Sequence, residues 1–301
     1  MTQTTSSADD PREPLGEPRE VRLEQGTIRY RERGSGPTIV FIHGLLVHGG
    51  LWRKVVPELE RDFRCVVPDL PLGSHDLPLN PDADRSPPGI ARLIADFVAA
   101  LELQDVTLVG NDTGGALSQM VIANHPERIG RLVLTPCDAY ENFLPPAFRP
   151  LQWLAHVPGA LTALVQPARL AAIRRSPLGY GVLTVRPIDA AVTESYVRPF
   201  LRDRGVRRDT VAFLRKISPR DTLAAADHFA EFDRPVLIAW APKDRFFKLK
   251  YAERMLDAFP NARLEKVEDA LTFVSEDQPE RLAELIAAFV REPAPAATAA
   301  P

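Results

Sequence analysis

The sequence predicts an α/β protein with a mostly parallel central sheet flanked by helices. Three observations carry that reading. Short apolar runs alternate with amphipathic helical stretches from about residue 20 onward. One strand passes straight into a helix through the glycine-bearing turn Gly110-Asn111-Asp112-Thr113-Gly114-Gly115. The alternation then stops between residues 139 and 230, where the chain reads as helical with no buried-strand run, and resumes after 231.

Each element has a local reason. Val21–Leu23 and Thr27–Arg31, separated by Gln25-Gly26, read as a hairpin. Thr38–His43 is a continuous apolar run, as a strand buried on both faces requires. Trp52–Glu60 reads as helix and Arg64–Pro68 as strand. Ile90, Leu93, Ile94, Phe97, Val98 and Leu101 share one face of a helix over Ile90–Leu103. Val106–Gly110 is a strand, Thr113–His125 a helix and Arg131–Thr135 a strand. After the insertion come strand Pro235–Ala241, helix Tyr251–Phe259, strand Arg263–Val267 and helix Pro279–Val290. The expected organisation is a core of residues 20–138 and 231–291, interrupted by a helical cap at 139–230. Residues 1–19 are polar and Pro-bearing, and residues 292–301 are a low-complexity run, so both are expected to be disordered tails.

Composition excludes several classes. The 37 Lys+Arg and 40 Asp+Glu give a net charge of −3, which offers no bulk attraction for nucleic acid. Cys65 and Cys137 are the only cysteines, too few for a disulfide scaffold or a cysteine zinc site. No apolar run reaches transmembrane length and no signal core is visible, so a cytoplasmic protein is expected, monomer or homodimer, needing no metal or cofactor. The insertion carries 13 basic and 7 acidic residues. That excess reads as a solvated arginine-rich surface, with a lid favouring an anionic or polar substrate as the alternative.

The turn at Gly110–Gly115 is a nucleophile elbow, in which flanking glycines permit a sharp strand-to-helix reversal and the central side chain stands above the sheet. Its central residue is Asp112. A carboxylate there can attack carbon and form an ester; as a lone feature it reads equally as a helix N-cap.

The order of motifs settles the context. Phe41-Ile42-His43-Gly44, Leu51-Trp52-Arg53, Asp69, the elbow, the insertion, Asp244 and Phe273-Val274-Ser275-Glu276 together resemble the α/β-hydrolase family over residues 20 to 290. The elbow aspartate and the Leu-Trp-Arg motif resemble its haloalkane dehalogenase and epoxide hydrolase branch. The resemblance implies an enzyme acting on a small organic molecule, with Asp112 at the nucleophile position. It implies oxyanion or substrate contacts at His43, Gly44, Leu45 and Thr113. Asp244, or else Asp138, stands where the acid partner lies, and Tyr180 and Tyr196 stand in the cap as proton donors to an epoxide oxygen. His43 is expected to support the oxyanion loop and Asp69 to be structural.

The chain departs from this pattern at the catalytic histidine, whose place is taken by Thr272. A hydroxyl cannot serve as a general base at neutral pH. His48 is the candidate substitute base, with an exposed loop histidine as the other reading; His125 reads as a cap or surface residue, and His228 reaches the site only if the insertion folds back. Thr113 also replaces the tryptophan that halide-binding members carry beside the nucleophile. Three functions follow: hydrolysis through an aspartate nucleophile; a non-hydrolytic lyase, isomerase or cyclase step using Asp112 as acid/base; or a catalytically silent ligand binder.

Overall fold

A computed structural model describes residues 10–293. Its eight strands form one sheet in the order β1-β2-β4-β3-β5-β6-β7-β8. They are β1 (Pro18–Leu23), β2 (Gly26–Arg33), β3 (Thr38–Ile42), β4 (Arg64–Pro68), β5 (Val106–Asp112), β6 (Ile129–Cys137), β7 (Val236–Trp240) and β8 (Ala262–Lys266). The β1–β2 and β2–β4 pairings are antiparallel and the rest parallel.

The apolar runs are explained by burial on both faces. Val40 and Ile42 enter one core cluster, and Ile39 and Phe41 the opposite one. Along β7, Val236, Ile238 and Trp240 alternate in the same way with Leu237 and Ala239. Core helices α1 (Val56–Leu59), α2 (Pro87–Ala100) and α3 (Thr113–Asn124) precede the insertion. In α2, Ser86 caps Gly89 N–H and two prolines occupy the first turn, so the helix starts ahead of its apolar stripe.

Between β6 and β7 lie α4 (Arg149–Ala155), α5 (Ala160–Val165), α6 (Ala171–Arg174), α7 (Ala190–Arg202), α8 (Arg204–Lys216) and α9 (Pro219–Ala226). The chain ends with α10 (Leu249–Ala258), α11 (Val274–Asp277) and α12 (Pro279–Arg291). Polar anchors fix the helical insertion onto the core segments around the sheet. Asp209 of α8 accepts from Arg85 Nε at 2.6 Å and Leu79 N at 2.7 Å. Burial works to raise the Asp209 carboxyl, but bonds from His75, Arg85 and Leu79 hold it down at about 2. The Asp277 carboxylate accepts from Val185 and Arg186 N–H, tying the loop before α7 to the end of the core.

Two expectations are corrected. Residues 10–19 are ordered: Leu15 is buried, and Arg12 reaches Asp69 at 2.7 Å and Asp76 at 3.0 Å. Charge pairing across more than fifty residues outweighs the local disorder signal there. The rest of that tail, residues 1–9, and residues 294–301 lie outside the described residues. The stretch read as one helix over Trp52–Glu60 is a 3-10 turn at Gly49–Trp52 followed by the short α1.

Candidate active site

The strand order reverses between β3 and β5, so a crevice opens at their C-terminal ends, where open α/β sheets bind ligands. Asp112 stands at this point. β5 ends on Asp112 and α3 begins on Thr113, with no loop residue between them. The reversal forces Asp112 to φ 54° and ψ −132°. A non-glycine residue in such a conformation costs about 1–3 kcal/mol, which surrounding packing must supply. Leu46 and Tyr140, just beyond β3 and β6, also have positive φ, so strained backbone gathers at this end of the sheet. Asp112 is the residue ahead of α3, yet its side chain makes no capping bond.

Two glycines let the elements approach. A Cβ on Gly114 would lie 2.4 Å from the His43 carbonyl oxygen, so α3 seats on the end of β3 only without a side chain there. A Cβ on Gly44 would lie 2.1 Å from Asp112 Oδ2, because the carboxylate occupies that space. Gly44→Ala therefore displaces the carboxylate and is expected to cost about 1–3 kcal/mol of stability, read as a lowered urea midpoint.

Asp112 Oδ2 accepts from Leu45 N–H at 3.1 Å, and the Thr113 N–H beside the carboxylate also favours its charge. Burial nevertheless pushes the carboxyl up to about 7, against both N–H bonds and with the charge of Asp244 adding to the rise. His43 lies under this loop with both ring nitrogens used: Nδ1 donates to Gly44 O at 2.9 Å and Nε2 accepts from Leu70 N at 2.8 Å. Burial pushes its imidazole down to about 4, so it stays neutral.

Thr272 occupies the space beside Asp244. Its hydroxyl donates to Asp244 Oδ2 at 2.7 Å, while Oδ1 accepts from Phe246 and Phe247 N–H at 2.7 and 2.6 Å. Asp244 is thus fully paired without an imidazole. Burial raises its carboxyl, opposed by those bonds. Asn111, which the sequence reading passed over, links the two ends of the site: its Nδ2 donates to Thr272 O at 2.7 Å and Thr135 Oγ1 at 2.8 Å. An amide immediately before the elbow aspartate was its only visible signal.

Asp138 follows β6, which pairs with β5 so that Asp112 is opposite Cys137. It is fully buried. Its Oδ2 accepts from Thr113 Oγ1 at 3.2 Å, and its Oδ1 has no hydrogen-bond partner. Burial, then the charge of Asp112, raises this carboxyl well above its ordinary range. Thr113 therefore stands between the two carboxyls, its backbone N–H favouring the charge of Asp112 and its hydroxyl bonding Asp138.

The histidines are placed elsewhere. His48 is not an exposed loop residue but is buried. Its Nδ1 accepts from Gly50 N at 3.0 Å, which leaves Nε2 to donate to Ser195 Oγ at 2.9 Å, and its ring packs edge-on to Tyr196 at 4.8 Å. His48 thus joins the loop after β3 to α7. His75 contacts Asp209, His125 ends α3, and His156 and His228 are exposed. Among the described residues no imidazole bonds Asp112 or Asp244. The Tyr180 hydroxyl donates to Leu46 O at 2.6 Å, whereas the buried Tyr196 hydroxyl has no partner; the two rings lie 5.4 Å apart. Asp69 accepts from Gly49 N and Arg12, a structural place.

The fold has a match among known proteins. The alpha/beta hydrolase fold model matches residues 37–279. The chain belongs to the alpha/beta hydrolase fold family. Its relatives include the Haloalkane dehalogenase 2 of Mycobacterium tuberculosis, 28% identical over 279 residues, covering 87% of this chain and 91% of the relative. The Cis-3-alkyl-4-alkyloxetan-2-one decarboxylase of Xanthomonas campestris pv. campestris is 29% identical over 299 residues, covering 91% of this chain and 95% of the relative. Among solved structures, an alpha/beta hydrolase fold protein from Burkholderia ambifaria superposes with a TM-score of 0.76 at 24% identity, covering 90% of this chain and 97% of the other. The ancestral haloalkane dehalogenase AncHLD2 gives 0.74 at 24% identity, covering 90% and 98%. The chain is an alpha/beta hydrolase-family enzyme with haloalkane dehalogenase relatives. Among the described residues no cluster of His, Cys, Asp and Glu suited to a metal forms, and no helix is long and apolar enough to cross a membrane.

Proposed function

We propose that this enzyme uses Asp112 as a carboxylate nucleophile on an electrophilic carbon of a small organic molecule, forming an ester on the side chain. One observation carries the reading: the Asp112 carboxylate is held at the elbow with one oxygen on the Leu45 N–H. With Oδ2 fixed, Oδ1 is the attacking oxygen, and the Leu45 and Thr113 N–H groups receive the charge that develops when the ester is later opened. Strained or activated carbon centres, such as epoxides and alkyl halides, are the substrate class. Hydrolysis is the leading outcome, and its second step lacks the imidazole that its relatives' fold ordinarily supplies.

The test is direct. Incubation is expected to add the whole mass of an epoxide, or the alkyl group alone of an alkyl halide whose halide has left, to the intact protein, and peptide mapping is expected to place it on Asp112. An unmodified Asp112 after exposure to both reagents sinks the reading.

A second reading is favoured by the Thr272–Asp244 bond, which fills the place of the acid–histidine pair. In that reading the step needs no water. The relative named for decarboxylation of an oxetan-2-one suggests a four-membered lactone, whose loss of carbon dioxide leaves an alkene and consumes no water. Product that stays free of label over many turnovers in oxygen-18 water supports this reading; product that becomes labelled after the first turnover supports hydrolysis.

A further inference from the structure

We propose that Asp138 is the proton-carrying catalytic residue of this site, first giving a proton to the leaving oxygen and then taking one from water. The proposal rests on the Asp112 nucleophile reading and goes beyond it. Its ground is the arrangement around Thr113, whose hydroxyl bonds Asp138 and whose N–H lies beside the Asp112 carboxylate and favours its charge. Asp138 is fully buried, and its Oδ1 meets no protein partner. A buried carboxyl oxygen left unpaired is costly, so its persistence calls for a purpose. Asp244 is the opposite case, since protein donors fill both its oxygens.

The donors decide which carboxyl holds the proton. Asp112 has two backbone N–H groups that favour its anion, and Asp138 has one hydroxyl. The proton therefore belongs on Asp138, and the free enzyme pairs an anionic nucleophile with a neutral acid. Two carboxyls with unequal environments dividing nucleophile and acid/base roles is an arrangement that enzymes use for bond cleavage at carbon.

The steps balance on an epoxide. An Asp112 oxygen bonds a ring carbon, the ring C–O bond breaks, and the ring oxygen takes the Asp138 proton. Asp112 is now a neutral ester, so its charge no longer adds to the burial that favours a protonated Asp138, and Asp138, having given up its proton, stands as a carboxylate. Water then adds to the Asp112 carboxyl carbon and gives one proton to Asp138. The ester C–O bond breaks, the departing alkoxide takes the remaining proton, and the diol leaves. Asp112 is again an anion and Asp138 an acid. An alkyl halide differs in one respect: halide leaves without a proton, so Asp138 must lose its own to solvent before it can act on water. The titratable groups around Asp138 are Asp112 and the adjacent Cys137, whose thiol burial holds neutral.

The test compares wild type with Asp138→Asn and Asp138→Glu, using styrene oxide and 1-bromobutane, with intact mass followed in time. In Asp138→Asn, ester formation from styrene oxide is expected to fall about 10²-fold or more, while formation from 1-bromobutane changes little. Decay of either ester is expected to slow by about 10²-fold. Asp138→Glu is expected to restore part of both steps. A merely structural role would depress both probes alike, and equal effects overturn the proposal. So does an ester that decays equally fast in wild type and Asp138→Asn. Should the variants not fold, wild type alone decides: decay of the butyl ester is expected to rise with pH and level off, and a flat profile overturns the assignment. No label on Asp112 of wild type from either probe is the separate result that removes the nucleophile reading, and this proposal with it.

Discussion

Asp112→Asn is expected to melt at a higher temperature than wild type at neutral pH while losing its chemistry. The carboxyl is buried and held at about 7, whereas an exposed aspartate ionises near 3.8. Its folded-state value is raised, so the folded chain binds the proton more tightly than the unfolded one. Stability from this group is full below 3.8 and is lost as pH climbs to about 7. Asparagine cannot titrate and keeps an oxygen for the Leu45 N–H. The gain over wild type is therefore expected to be small at pH 4, to grow to on the order of 4 kcal/mol at pH 7, and to flatten above. Thermal melts of both proteins across that range test it; parallel curves would mean that Asp112 is not strained by its own charge. Kinetically, removal of a nucleophile costs on the order of 10⁴-fold or more. In wild type the attacking species is the anion, so labelling of Asp112 should rise with pH through about 7 and then level off.

These two faces of one residue belong together. The backbone at Asp112 is strained, its carboxyl is desolvated, and Gly44 and Gly114 are emptied of side chains to make room. The sheet supplies the compensation. β3, β5, β6 and β7 are packed on both faces, and a well-filled core can hold a costly site in one geometry.

What the sequence disclosed depends on how local each signal was. The run TIVFI and the run VTLVG declared strands because both sheet faces bury them, so nearly every residue is apolar. The elbow was legible because glycine at fixed spacing around Asp112 has a steric cause. The vacancy at the histidine position was legible too, since Thr272 stands in a motif of fixed order. Long-range pairings were not. Nothing near His48 announces that Ser195, 147 residues away, takes its proton. Arg12 lies in a stretch whose composition reads as disorder, and only folding brings Asp69 and Asp76 to it. Asp138 looked like a weaker version of Asp244. Their difference lies in hydrogen-bond donors that arrive from Thr113, Phe246 and Phe247, and no spacing rule counts those.

Thr272→His is expected to add the imidazole base that the site lacks. Thr272 is buried, and its hydroxyl already donates to Asp244 Oδ2 at 2.7 Å. An imidazole placed there would give Asp244 a ring N–H in exchange for that hydroxyl. The second ring nitrogen would then be free to accept a proton from water. Asp244 would fix the tautomer and stabilise the imidazolium, as a buried carboxylate does for a catalytic histidine. A positioned base of this kind is worth about 10²–10⁴-fold, and the gain should appear in ester decay rather than ester formation, because the first step needs no base. Imidazole is larger than the threonine side chain, and overpacking is expected to lower stability by about 1–3 kcal/mol. Time-resolved intact mass separates the two steps. Faster decay with unchanged formation would mean that Asp244 and the oxyanion loop are already set for hydrolysis. Unchanged decay in a folded Thr272→His protein would mean that water has no path to the Asp112 carboxyl carbon, and the water-free reading would gain accordingly.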